Sequence, residues 1–265
     1  MVYRPQRSLW IPEHLGVGVY KPSDVNKYKR YLDRFRQAVA FSSVADVSPA
    51  TGTSFTITIT TPATNPVILV GVALDSATAT VSSITSNKTS TSISEVKNVR
   101  NGTSFACIWV VVAPQVSVST ILTINLSASV AYQGAAETFS GADQTTPSPV
   151  GDSTSATGTA ITTLTVTPSN LTSNDASFGC GVNTVDGNPN GFSTNDRYKN
   201  STTSVNIETG DSSGTTALIA NFALGGLAIE AAVGARVQVP TGAGGGASPN
   251  PPVLVKQAIH RGSFY

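Results

Sequence analysis

A two-residue period constrains this chain more than any other feature of its sequence. In "FTITIT", residues 55 to 60, Phe55, Ile57 and Ile59 fall on one side and Thr56, Thr58 and Thr60 on the other. That is the pattern of a strand with one face in a core and one in water. "VSVSTILTINL" (116–126) likewise sets Val116, Val118, Leu122, Ile124 and Leu126 on one face, and "SFGCGV" (177–182) sets Phe178, Cys180 and Val182. "VILVGVAL" (67–74) and "FACIWVVVA" (105–113) are apolar on both faces, as strands covered from both sides require. Between "SISEVKNVR" and "TSFACIWVV" stands Asn101-Gly102, a pair suited to a type I′ hairpin turn, which needs positive φ at both central positions. With "LTVTP", "TSVNIE", "TALIANFAL" and "LAIEAAVGARVQV" the chain offers ten or more strands and no helical period in this region. The expectation is a mainly β, antiparallel β-sandwich, jelly-roll-like, over residues 46–239.

The ends differ from this body. Residues 1–40 hold eight Lys/Arg against three Asp/Glu, and residues 41–250 hold six against twelve, although the whole chain is close to neutral at +1. No Thr precedes Thr51, and Ser8 and Ser23 are the only serines in the first 41 residues. The break places an N-terminal arm at 1–45 and, after the Gly/Pro stretch that opens at 240, a C-terminal tail through 265. Within the arm, "KPSDVNKYKRYLDRFRQAVA" offers Ser23 as N-cap and Asp24 in the first turn. Val25, Tyr28, Leu32, Phe35 and Val39 then form one stripe at helical spacing, flanked by Lys27, Lys29, Arg30, Arg34 and Arg36. The expectation is one basic amphipathic helix whose apolar stripe seeks a partner surface. Its docking residues are Trp10, Tyr28, Arg30, Tyr31, Leu32, Arg34 and Phe35.

Catalytic chemistry finds little to work with. The two histidines, His14 and His260, lie in the terminal segments, which leaves the body without a base for a serine nucleophile or a histidine cluster for a metal. Cys107 and Cys180 stand 73 residues apart in apolar strands and read as small buried hydrophobes rather than a thiol site. The loop acids Asp143, Asp152, Asp175, Asp196 and Asp211 show no spacing that marks an acid/base pair. "DGNPNG" sets Asp186, Asn188, Asn190 and Gly191 where a calcium loop would, but Arg197 occupies the twelfth position, where a bidentate Glu is needed. A plain turn accounts for the same residues. The expectation is a protein that is not an enzyme and has no cofactor or metal. The apolar runs are strand-length, the N-terminus lacks the apolar core of a signal peptide, and the body adds no basic surface to the helix. Neither a membrane nor a nucleic acid is therefore expected as partner.

"ETFSGADQTTPSPVGDSTSATGTA" (137–160) resembles a module of phage virion structural proteins and bacterial surface proteins, in which a strand ends in a Phe-Ser/Thr-Gly-X-Asp-Gln-Thr-Thr-Pro turn. "DRYKNSTTS", "TGDSSGTTALIANF" and "LAIEAAVGARV" are similar to its closing strands, so that the resemblance spans most of 55–239. In the turn, Gly141 supplies backbone freedom, Asp143 a cap and Pro147 a stop. The resemblance implies a β-sandwich with a binding or structural role. Without a signal peptide, a virion protein assembled in the host cytoplasm is the favoured reading: a capsid decoration or head-surface protein of a tailed phage, docked on the major capsid protein or other virion proteins through its arms, as a homo-oligomer. The alternatives are a tail or fibre-associated virion protein, or a carbohydrate-binding adhesion module whose ligand is a host-surface glycan.

Overall fold

The structure is a computed structural model that describes residues 38–144, 152–183, 189–200, 205–222 and 229–240, with the side chains of 189, 190 and 229 excluded. The chain divides into two compact units, Met1–Arg36 and Gln37–Tyr265. The first lies outside the described residues, and the expected arm helix with it. Everything below concerns the second.

Among the described residues the protein is all strand, turn and loop, and every strand pairing is antiparallel. Six strands build the first sheet: β1 (Ala40–Thr60), β2 (Val67–Asp75), β3 (Val81–Ser86), β4 (Ser92–Asn101), β5 (Ser104–Val112) and β6 (Ser119–Ser140), in the order β1-β6-β2-β5-β4 with β3 added along β6. Eight more follow: β7 (Ser153–Thr159), β8 (Thr163–Thr165), β9 (Ala176–Asn183), β10 (Pro189–Phe192), β11 (Asn195–Asn200), β12 (Asn206–Ser213), β13 (Ile219–Phe222) and β14 (Ile229–Val237). They form a five-stranded sheet, β11-β12-β9-β14-β7, and a three-stranded one, β10-β13-β8.

Side-chain alternation explains how these sheets stack. In β2, Val67, Leu69 and Ala73 join a core that includes Phe178, Cys180 and Val182 of β9 and Ala231, Val233 and Ala235 of β14. Ile68, Val70, Val72 and Leu74 point the other way, to Phe55, Ile57 and Ile59 of β1 and Leu122 and Ile124 of β6. β1 and β6 are long enough to serve both: their N- and C-terminal halves respectively lie in the sheet with β2, and the remainder carries β3 and covers the far face of β2 and β5. A third core, with Leu164, Phe192, Leu218, Ala220 and Phe222, lies between β10-β13-β8 and the five-stranded sheet, from which Ala232 joins it. β9 is buried along its whole length, where the sequence promises one wet face. Its outward positions include Gly179 and Gly181, and the space a Cβ would take at Gly179 is filled by the Phe192 ring, 2.5 Å away.

Three local expectations shift. The hairpin after "SISEVKNVR" is present, but Asn101 pairs with Ser104 and the two-residue loop is Gly102-Thr103. Only its first residue has positive φ (Gly102, 56°), which suits a type II′ turn rather than I′. Val116 is 47 % exposed, because β6 begins only at Ser119. β1 begins at Ala40, inside the expected arm, and residues 40–45 pair with β6. Val39, read as the last residue of the helical stripe, is instead 4 % exposed and belongs to the core of the body.

Candidate functional site

The residues expected to dock, Trp10, Tyr28, Arg30, Tyr31, Leu32, Arg34 and Phe35, lie outside the described residues, as do His14 and His260. What the structure does place is the root from which both terminal segments spring. At the entry, the Val39 amide donates to the Asn174 carbonyl at 2.8 Å. At the exit, the Val239 amide donates to Asp175 Oδ1 at 3.0 Å. Entry and exit are thus pinned to consecutive residues of one turn, 172–175, which leads into β9.

Asp175 organises this corner. Its carboxylate accepts from the Thr172 amide and hydroxyl, both at 2.7 Å, and from Arg236 Nε at 3.1 Å and Nη2 at 2.9 Å. Its side chain is wholly buried and that of Arg236 is 11 % exposed. The charges are therefore desolvated but paired through several charge-assisted bonds, the arrangement in which a buried ion pair holds geometry. Arg236 also reaches Asp152 Oδ2 at 3.5 Å, and its amide donates to the Asp152 carbonyl at 2.9 Å. The Asp143 amide donates to the Gln238 carbonyl at 2.9 Å. Both ends of the stretch leading from β6 to β7 thus meet the exit strand. Gly141 has the positive φ (75°) that the turn after β6 calls for; Pro147 lies outside the described residues.

Beside the entry, Phe41 stands edge-on to Phe139, with ring centroids 6.2 Å apart. The Arg197 guanidinium lies 3.7 Å over the Phe41 ring and is ion-paired with Asp211. Behind it Glu137 of β6 is fully buried. Burial first, and then the charge of Asp211, pushes its carboxyl well above the usual carboxylate range, against smaller opposing effects of Thr209 and Arg197. Glu208 is pushed up in the same way, chiefly by burial, although it accepts from the Gly191 amide at 2.9 Å. In both, burial disfavours the charged form. The acids singled out in the sequence do not gather into one site: Asp175 and Asp152 share Arg236, Asp211 pairs with Arg197, and Asp196 pairs with Lys199.

Within "DGNPNG", Asp186 and Asn188 and the side chain of Asn190 lie outside the described residues, while Gly191 sits in β10. Arg197, at the would-be twelfth position, is committed to Asp211. Among the described residues no group of three or more His, Cys, Asp or Glu could hold a metal ion. Cys107 and Cys180 are free thiols, both buried, and desolvation pushes both upward. The Arg236–Asp175–Asp152 cluster escaped the sequence reading because its members are 61 and 84 residues apart; the one local signal was Thr172 three residues before Asp175. No family model, curated protein or solved structure matches this chain.

Proposed function

We propose that this chain is a non-enzymatic structural protein of a tailed-phage virion, decorating the head and gripping it through its terminal segments while the β body projects. The observation that carries the reading is the common root: the backbone amides of Val39 and Val239 are tied to Asn174 and Asp175, so the basic N-terminal segment and the tail leave the body at one corner. Two segments that start together can engage one site, and tethering makes the second contact effectively intramolecular. The buried Asp175–Arg236 pair fixes the geometry of that root. The finer architecture in this reading is a β-sandwich with the Phe-Ser-Gly-X-Asp-Gln turn of the virion and surface-protein module, and the N-terminal segment carries the amphipathic docking helix. The jelly-roll form asks the chain to alternate between facing sheets, whereas β1–β6 and β7–β14 pair among themselves; the pairing favours a sandwich of another topology.

The test is co-sedimentation of the full chain and of residues 38–240 with purified particles, alongside a mass-spectrometric inventory of those particles. The reading expects the chain in the inventory and binding by the full chain alone. Absence from particles, with glycan binding by residues 38–240, would instead establish the carbohydrate-binding alternative.

A further inference from the structure

We infer that the body is one six-strand unit present twice, residues 38–144 and 152–240, and that the face between the copies is a two-fold self-recognition interface held within a single chain. Strand order is the first ground. The first unit reads β1-β6-β2-β5-β4, with β3 outermost on β6; the second reads β7-β14-β9-β12-β11, with β10-β13-β8 outside it. Replacing β1 by β7 and β8, β2 by β9, β3 by β10, β4 by β11, β5 by β12 and β6 by β13 and β14 turns one arrangement into the other.

Register is the second and stricter ground. Gly71 pairs with Ile108 and Ala135, and Cys180 pairs with Thr209 and Val233. Offsets of 109 for β2, 101 for β5 and 98 for β6 relate the two sets, and the same offsets carry Val67↔Val112 to Ala176↔Ser213 and Val67↔Phe139 to Ala176↔Val237. Keeping the offset of 98 for the first piece of the split strand, Ile57↔Leu122 corresponds to Leu164↔Ala220 with an offset of 107 from β1 to β8, against 109 from β1 to β7, where Asp46↔Ala135 corresponds to Ser155↔Val233. Even the irregularity is kept: β4 bulges between Glu95 and Lys97, and β11 bulges between Asp196 and Tyr198, each 101 residues on. A β-bulge is a specific local device, and its recurrence at the equivalent position is not a generic property of antiparallel sheets.

Most contact pairs between the units have their two-fold counterpart, as an isologous interface demands, although β4 meets β14 more extensively than β6 meets β11. β4 meets β7 and β1 meets β11; β5 meets β9 and β2 meets β12; β5 meets β14 and β6 meets β12. β2 meets its own counterpart β9, so the pseudo-two-fold axis passes between them. Gly71 and Cys180, equivalent by register, face each other there: a Cβ on Gly71 would lie 3.0 Å from both Cβ and Sγ of Cys180. One of the two positions must be small, and one is glycine. The partner this face fits is therefore a second copy of the unit, and the chain already supplies it. Association between whole molecules must use other surfaces.

An exchange at the axis tests this on the full chain. Gly71→Cys overfills the contact and Cys180→Gly empties it, so each lowers the urea midpoint under reducing conditions. The double variant, which only swaps the two residues across the axis, is expected to regain more than half of the combined loss. Additive losses overturn the inference. A second measurement covers variants too unstable to assay: with a protease site inserted after Ser148, the cleaved chain should elute as one species of unchanged size and strand spectrum. Separation of the halves, or loss of that spectrum on cleavage, also overturns it.

Discussion

Glu137 offers the sharpest energetic test, because it carries a carboxyl into the face between the two units. A carboxyl that folding raises above its ordinary value of 4.5 makes the unfolded chain the weaker proton binder in the window above that value. Stability then falls as pH rises across that window, by about 1.4 kcal/mol per pH unit for each such group. Glu208 and Glu230 are raised in the same direction, so the wild type should lose stability from pH 5 toward pH 8 more steeply than one such group would make it. Glu137→Gln replaces the carboxyl by an amide of the same shape that cannot ionise, and removes one of these contributions. At pH 7 the substitution should stabilise the protein, by about 1.4 kcal/mol for each pH unit above 4.5 over which the folded carboxyl keeps its proton, less whatever the amide loses in its fit against Thr209 and Asp211. Near pH 4.5 the difference should vanish. Urea melts of both proteins at pH 5, 6, 7 and 8 measure it. Wild-type stability that climbs with pH across this range, or a Gln variant with an undiminished slope, would show that Glu137 is ionised in place and that Arg197, rather than burial, governs it.

Other outcomes follow from the root and the arm. Asp175→Ala strands Arg236 and frees the Val239 amide, and should cost about 3–5 kcal/mol in a denaturant melt; Asp152→Ala, which removes a longer and more exposed contact, should cost under about 1 kcal/mol. Residues 38–240 should fold with the thermal stability of the full chain, whereas a chain starting at residue 46 should melt lower, because it loses Val39, Phe41 and the strand pairing at 40–45. In particle co-sedimentation, Tyr28, Leu32 and Phe35 changed together to Ala should abolish most binding, at about 2 kcal/mol or more per central anchor. Arg30 and Arg34 changed to Glu should slow association and alter its salt dependence while leaving more of the affinity.

How much of this was legible in the sequence follows from which interactions leave a local trace. Strand identity does: Phe55, Ile57 and Ile59 alternate with Thr because one face is wet, and Val67 to Leu74 do not alternate because both faces are covered. The hairpin was legible from Gly102, and the turn residue was misplaced by one because Asn101 can pair in a ladder as readily as it can turn. Val39 misled, since a valine at helical spacing from Phe35 satisfies the helical pattern as well as it satisfies a core. The root was illegible for another reason. Arg236, Asp175 and Asp152 meet only after the sheet has formed, and no period in the sequence encodes a meeting across 61 residues.

The duplication left no trace at all, although it accounts for most of the architecture. Across β2 and β9 none of the eight equivalent pairs, from Val67/Ala176 to Leu74/Asn183, is identical. Backbone pairing survives such change because ladder hydrogen bonds do not depend on which side chain stands at a position, whereas packing demands only that volume be conserved in sum. The two units divide that volume differently. In the first, Val70 and Val72 fill the space behind the central strand; in the second, Gly179 and Gly181 leave it to Phe192 and Phe222 of the outer layer. On the axis the division runs between the units, with nothing at Gly71 and a thiol at Cys180. Each exchange keeps the core full while erasing the residue-by-residue likeness on which a sequence comparison depends, so two copies of one fold can lie in register and share no visible motif.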